Sequence, residues 1–266
     1  ESLRCDMSLV RMAVEQNGLA LQYAASQLQG DRELAVLALR KDWKALQFVA
    51  PVIQAEREFV QLALQKDSHA LKFAGVELRA DKELVLAVTS KNALVLEFAA
   101  PELQRDRDVI RHAASKNPRA LQFAAPELQA DRYFMLDLIE SDWRAFQWAA
   151  ADLRGDHYFA LQAMQHDARI LQHAAAELLA SRHFAFAALE ENGLALQYLD
   201  KELRKDRELV LLAVQGNADA RKYAAAPLRM DKEISLAVDR SKWAAKLKAG
   251  GIRLPKAPAK MQADRE

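Results

Sequence analysis

The sequence predicts an all-α protein, an α-solenoid of tandem 25-residue two-helix repeats. Three observations predict it. A capping-type residue recurs every 25 positions without insertion, at Asp6, Asp31, Glu56, Asp81, Asp106, Asp131, Asp156, Ser181, Asp206 and Asp231. Within each unit the apolar residues follow a helical spacing. A second marker, Asn or Asp, recurs eleven positions after the first in nine successive copies. A fixed period of this size is the mark of stacked repeats, in which one unit cannot bury its apolar face alone and uses its neighbours.

The columns of the unit are numbered one to twenty-five from the capping residue, and repeats one to ten from Asp6 to Asp231. Columns four, five and eight are apolar, as in Leu84, Val85 and Val88, which is the stripe of an amphipathic helix over columns two to eleven. The column-one side chain sits where it can accept the orphan amide hydrogens of that helix's first turn, and acid in column three suits the positive helix end. Column twelve is the second cap: Asn17, Asp42, Asp67, Asn92, Asn117, Asp142, Asp167, Asn192 and Asn217. Pro118 follows one of them, at the first helical position, where a missing amide hydrogen costs nothing.

A second helix is expected from there, on the pattern A-L-x-aromatic-A-A. Column sixteen supplies its apolar residue, from Leu21 and Leu46 to Phe146 and Leu196. Column eighteen supplies a ladder of rings: Tyr23, Phe48, Phe73, Phe98, Phe123, Trp148, His173, Tyr198 and Tyr223, expected to fill the core. Pro51, Pro101 and Pro126 are expected to stop this helix, because an interior proline removes a hydrogen bond. A short turn follows, anchored by an aliphatic residue in column twenty-three. Helices of about ten residues are marginal alone in water, so stacking must hold them.

An unbroken repeat implies one array over 1–248, made of a partial unit at 1–5, nine full units at 6–230 and a decayed unit at 231–248. Lys246 and Lys248 replace the expected Leu and ring there. Residues 249–266, with Pro255, Pro258 and several lysines, read as a flexible tail. Glu1 to Cys5 match the last columns of a preceding unit, so the chain is expected to be part of something longer. Apolar runs fall short of the roughly 20 residues that span a bilayer, and no secretory signal is visible. An intracellular location, cytoplasm or organelle, is the expectation. Cys5 is the single cysteine, which excludes an intrachain disulfide.

The motif D-R-E-L-V-L-x-A-V-x-x-N-x-x-A-L-x-F-A-A-x-E-L-x-x stands nearly verbatim at Asp206 to Asn217 and at Asn92 to Leu103. It resembles the repeats grouped as domain of unknown function family 4116, over almost the whole chain. The resemblance implies tandem helical units and brings no catalytic or binding residues with it.

Residues for catalysis are scarce: there is no phosphate-binding glycine loop, no G-x-S-x-G elbow and no H-E-x-x-H pair. Capping accounts for the acids of columns one and twelve. No enzyme activity and no cofactor are expected. His157, His166, His173 and His183 cluster in sequence, yet His173 holds a ring column and His157 a basic column, so no metal is expected. Column two is basic in almost every copy, including Arg57, Lys82, Arg107, Arg132, Arg182 and Arg207. Ion pairs with the acid of column twenty-two, as Glu102 with Arg107, are the plain account. A ladder of phosphate contacts is the sharper one. Acids bracket each of these cations and the net charge is only +1, so nucleic acid is possible but disfavoured.

One departure points to a partner. Column three is acidic in most repeats, yet three successive copies carry Tyr133, Tyr158 and His183, beside Arg132 and Arg182. Tyr, Trp and Arg dominate binding hot spots, although such rings also serve as packing over a neighbouring turn. Trp43 and Trp143 share column thirteen with Trp243 and are further candidate anchors. The expectation is a non-catalytic scaffold that binds another protein or a larger assembly. Nucleic-acid binding, or service as the regulatory or targeting arm of a larger protein, are the alternatives.

Overall fold

The computed structural model describes residues 2–248, and the stretch 249–266 read as a tail lies outside them. Every regular element among the described residues is helical. The chain divides into two compact units, split between Gln129 and Ala130, and the described residues of each are built from the same 25-residue repeat.

The first segment of the repeat is the expected α-helix, for example Arg32–Lys41, Arg57–Lys66, Arg132–Ser141, His157–His166 and Arg182–Glu191. Column-one side chains cap it, as Asp31 accepts from the Leu34 amide and Asp156 from the Phe159 amide. Glu56, one methylene longer, makes no such bond. The buried stripe is wider than expected, because column nine joins columns four, five and eight: Leu39, Ile139, Leu189 and Val214 are all buried. Repeat one shows which way each column faces. There Leu9 and Ala13 are exposed while Val10 and Val14 are buried, so columns four and eight face the preceding repeat and columns five and nine the following one. Repeat ten keeps Ile234 and Val238 buried toward repeat nine but carries Ser235 and Asp239 in the outward columns. Terminal repeats need such a polar outer face.

Column twelve ends the helix by the mechanism the sequence implies. In all nine copies the Asn or Asp side chain accepts the column-fourteen amide, at 2.8–3.1 Å. Its extended backbone, as at Asp142 with φ −153° and ψ 111°, breaks the α ladder. Repeat ten has Lys242 in this column, and its helix runs on without interruption over Lys232–Lys248. Trp243 therefore lies within a helix rather than at the start of a new one.

Two helices per repeat was the expectation; there are three helical segments. The second is a 3-10 helix, as in Ala93–Phe98 and Trp143–Trp148. Its bonds close three residues back, Ala20 to Asn17 at 2.9 Å and Ala24 to Leu21 at 3.1 Å. A period of three puts columns thirteen, sixteen and nineteen in line, so Leu96 and Ala99 are buried together. The same period turns the ring column sideways: Phe48, Phe98, Trp148 and His173 are half-buried, and Tyr23 is exposed, so the ladder flanks the core instead of filling it.

The prolines also do something different from what their positions suggested. The 3-10 segment has already ended when the chain reaches Pro51, Pro101 or Pro126, and each proline opens a third segment, the one-turn helices Pro51–Gln54, Pro101–Gln104 and Pro126–Gln129. Proline fits that first position because its missing amide hydrogen has no partner there. Column twenty-three is buried beneath this turn at Ile53, Leu78, Leu103 and Leu178.

The extended link before the turn carries the contact that sets repeat register. The column-twenty amide donates to the column-twenty-four carbonyl of the preceding repeat, as Ala50 to Gln29 at 2.9 Å, Gly75 to Gln54 at 2.8 Å, Ala175 to Arg154 at 3.0 Å and Ala225 to Arg204 at 2.9 Å. Column twenty-four works twice. Its glutamine side chain donates to the column-sixteen carbonyl of the same repeat, Gln54 to Leu46 at 3.0 Å and Gln129 to Leu121 at 2.7 Å, a second donor for a carbonyl at the end of the 3-10 segment, as Leu121 also accepts the Ala124 amide at 3.1 Å.

Candidate interaction surface

A cation at the start of a helix opposes the helix dipole and needs compensation. Column two finds it in the repeat that follows, not in the preceding turn as the sequence suggested. Arg57 pairs with Asp81 at 2.8 Å and Lys82 with Asp106 at 2.7 Å. Arg132 pairs with Asp156 at 2.8 Å and Arg182 with Asp206 at 2.9 Å. Several of these cations hold a second acid, in column three of that next repeat: Arg32 holds Glu58, Lys82 holds Asp108 at 3.3 Å, Arg182 holds Glu208 and Arg207 holds Glu233. The column-one carboxylate thus caps its own helix and grips its neighbour's cation together. Burial raises the Asp206 carboxyl, and the Arg182 guanidinium with the Leu209 and Glu208 amides more than offsets it, leaving it below its ordinary value. Arg182 is held above its own ordinary value by Asp206 and then Glu208. The pairs are largely exposed, so they fix register more than they stabilise.

Three repeats break this staple in column three. Tyr133 is 81 % exposed and Tyr158 is 74 % exposed, and His183 is exposed as well. Arg132 is half-buried and keeps Asp156, and column three of the repeat that follows it is Tyr158, where Lys82 and Arg182 have a second carboxylate. The next seam has no carboxylate in these columns: the following column one is Ser181, column three is His183, and the facing column-two residue is His157. The His157 and His183 rings lie 4.9 Å apart at 34°, and His157 also meets Phe184 edge-on at 5.2 Å. The row therefore presents rings where Glu58, Asp108, Glu208 and Glu233 present ion pairs with a neighbouring repeat.

The tryptophans sit elsewhere. Trp43 packs on Phe73 at 6.2 Å, and Trp143 stacks on His173 at 6.3 Å and 19°. In each case column thirteen reaches the ring column of the next repeat, so both are half-buried parts of a seam. The Arg169 guanidinium covers Trp143 at 4.7 Å, beside a polar cavity of about 600 Å³ lined by Glu140, Arg144, His166 and Asp167. Trp143 is not brought together with Tyr133 and Tyr158 in one patch: the tryptophan begins the second segment of its repeat, and the tyrosines lie at the opposite end of the first, while Trp43 belongs to the other compact unit.

Three stretches of the chain, residues 31–79, 81–129 and 181–229, match the family described as Domain of unknown function (DUF4116), together more than half of its length. The chain belongs to this family. Each DUF4116 match covers two successive 25-residue units. Tyr133 and Tyr158 lie between the second and third matched stretches. No curated protein and no solved structure matches the chain.

Within this DUF4116 chain the sequence reading missed one part of the surface. Column six lies one turn beyond column three, and in the same repeats it is Leu136, Leu161 and Phe186, half-buried or, for Phe186, 37 % exposed. The signal was present as an apolar residue three positions after each ring, which places the two on one helix face. Among the described residues no group of three or more His, Cys, Asp and Glu is placed to hold a metal ion, and no helix is long and apolar enough to cross a membrane.

Proposed function

We propose that this DUF4116 chain is a non-catalytic protein-interaction scaffold, its 25-residue units stacked serially as an α-solenoid, and that another protein or larger assembly docks on the row Tyr133, Tyr158 and His183. One observation carries the reading: Tyr133 and Tyr158 are the two most exposed tyrosines of the described residues, in a column where Glu58, Asp108, Glu208 and Glu233 hold cations of the neighbouring repeat. Exposing two rings in place of charged groups gains nothing for folding, whereas rigid tyrosines on a packed helix supply contact area at small entropic cost. Leu136, Leu161 and Phe186 extend the apolar strip. The row lies on helices held at both ends by caps, so it is presented as a fixed surface.

Nucleic acid is the weaker reading. A backbone binder needs free cations along one face. The column-two cations Arg57, Lys82, Arg132, Arg182 and Arg207 instead hold carboxylates of the following repeat.

The test is affinity. A partner captured from the native source by the immobilised chain is purified and titrated against the wild type and against Tyr133→Ala/Tyr158→Ala. Weaker binding with unchanged thermal stability is expected, and equal affinity removes the row from the account.

A further inference from the structure

The row's occupant is legible in the chain itself. Between Ile252 and Lys260 the sequence reads Ile-Arg-Leu-Pro-Lys-Ala-Pro-Ala-Lys, a P-x-x-P spacing with three cations and no acid. Such segments favour the polyproline II helix, and they dock on surfaces lined with aromatic side chains. We infer that the segment around Pro255 and Pro258 of a second copy of this chain binds across Tyr133 and Tyr158. This rests on the row being the docking surface.

Dimensions favour the match. A polyproline II helix rises about 3.1 Å per residue, so prolines three apart are separated by about 9 Å. Neighbouring packed helices lie about 8–10 Å apart, and the tyrosines occupy the same column of adjacent helices, so each proline meets one ring. Charge agrees as well. Arg132 and Arg182 beside the row are already neutralised by Asp156, Asp206 and Glu208, which leaves the row without cationic repulsion.

Reach makes the contact intermolecular. The last described helix, Lys232–Lys248, is roughly 25 Å long and starts level with column three of its neighbours, because Arg207 pairs with Asp231 and Glu233 at its first turn. Seven residues from Lys248 to Pro255 extend no more than about 25 Å. The segment can regain the column-three level of its own repeat, but Tyr158 lies three repeats further on.

A fluorescent peptide of residues 250–262 titrated into the full-length chain at low concentration tests this, alongside sedimentation of the unlabelled chain over a concentration series. Saturable binding is expected, weakened roughly ten-fold or more by Tyr133→Ala/Tyr158→Ala in the chain or by alanine at both prolines of the peptide. Concentration-dependent self-association, lost in the full-length Pro255→Ala/Pro258→Ala variant, is the second expected result. Absence of saturable binding, or binding indifferent to both sets of changes, overturns the assignment. If a foreign partner still needs Tyr133 and Tyr158 while the peptide does not bind, the tail assignment falls and the docking row stands.

Discussion

Gly193 begins a 3-10 segment directly behind the Asn192 cap, and its backbone closes onto the next repeat's first helix, Arg207–Gly216. A Cβ at this position meets the Ala213 carbonyl oxygen at 2.2 Å, against ordinary contact distances of 3.4 Å or more. About 1 Å of movement is needed, and only backbone can supply it. The struck oxygen also accepts the Asn217 amide at 2.9 Å, the bond that closes the helix at its second cap. Overpacking of this kind costs about 1–3 kcal/mol, and losing part of a closing bond adds to it. Gly155 is the internal control. It ends the helix Ala151–Gly155, its nearest neighbour for an added Cβ is the Ala175 methyl at 3.6 Å, and alanine is the better helix former by up to about 1 kcal/mol. Urea unfolding should therefore show Gly193→Ala destabilised by about 1–3 kcal/mol and Gly155→Ala unchanged or slightly stabilised. Because repeat stability is a sum of units and nearest-neighbour interfaces, hydrogen exchange should speed most in the repeats meeting at that seam. Two glycine variants of equal stability would refute the close-approach reasoning.

Three further outcomes follow from the same geometry. Phe159 and Phe146 are fully buried and stacked at 5.5 Å across one seam, so Phe159→Ala should lose about 3–5 kcal/mol in urea unfolding. Asp142→Ala removes the acceptor of the Arg144 amide, and a loss of about 0.5–2 kcal/mol is expected, with faster exchange at that amide. Burial first, and the Arg154 charge second, hold the His173 imidazole below its ordinary value, so the fold prefers the neutral ring. As pH falls below about 6.5 the unfolded chain takes up the proton before the folded one, so the His173 contribution is complete above that value and is lost on acidification toward the folded value. The stability difference between wild type and His173→Phe, read from urea midpoints, should therefore change between about pH 7.5 and pH 5 and be flat above about pH 7.5.

Much of the fold was legible because the repeat is read many times over. A single Asp42 is an ambiguous signal, but Asn or Asp in one column of nine copies is a cap, and all nine side chains make the capping bond. Lys242 supplies the converse, since the helix runs on where the cap is missing. The second segment was harder. The pattern A-L-x-aromatic-A-A suits a helix of either period, and the choice of the 3-10 form depends on the seam, where columns nineteen and twenty must leave the helix so that the Ala50 amide can reach the Gln29 carbonyl. No single repeat contains that constraint. The prolines were misread for the same reason, because a residue that ends one helix and a residue that begins another look alike without the extended link between them.

The direction of the column-two ion pairs was the least legible feature, and it bears most on the site. In sequence, Glu102 is five residues from Arg107 and is the natural partner; in space, a residue one full repeat ahead is nearer, as Asp81 is for Arg57. Once the pairing is known to run forward, columns one, two and three become one lattice. The replacement of Asp and Glu by Tyr158, Ser181 and His183 is then no scatter of surface changes. His157 stands in the basic column at the one seam where neither facing column carries an acid, so arginine or lysine and the acids are absent together. A change made only for packing would have left the arginine beside Ser181 with no carboxylate to hold. The joint absence leaves no column-two arginine without a carboxylate at that seam, which is what the proposed docking on the exposed Tyr133 and Tyr158 requires.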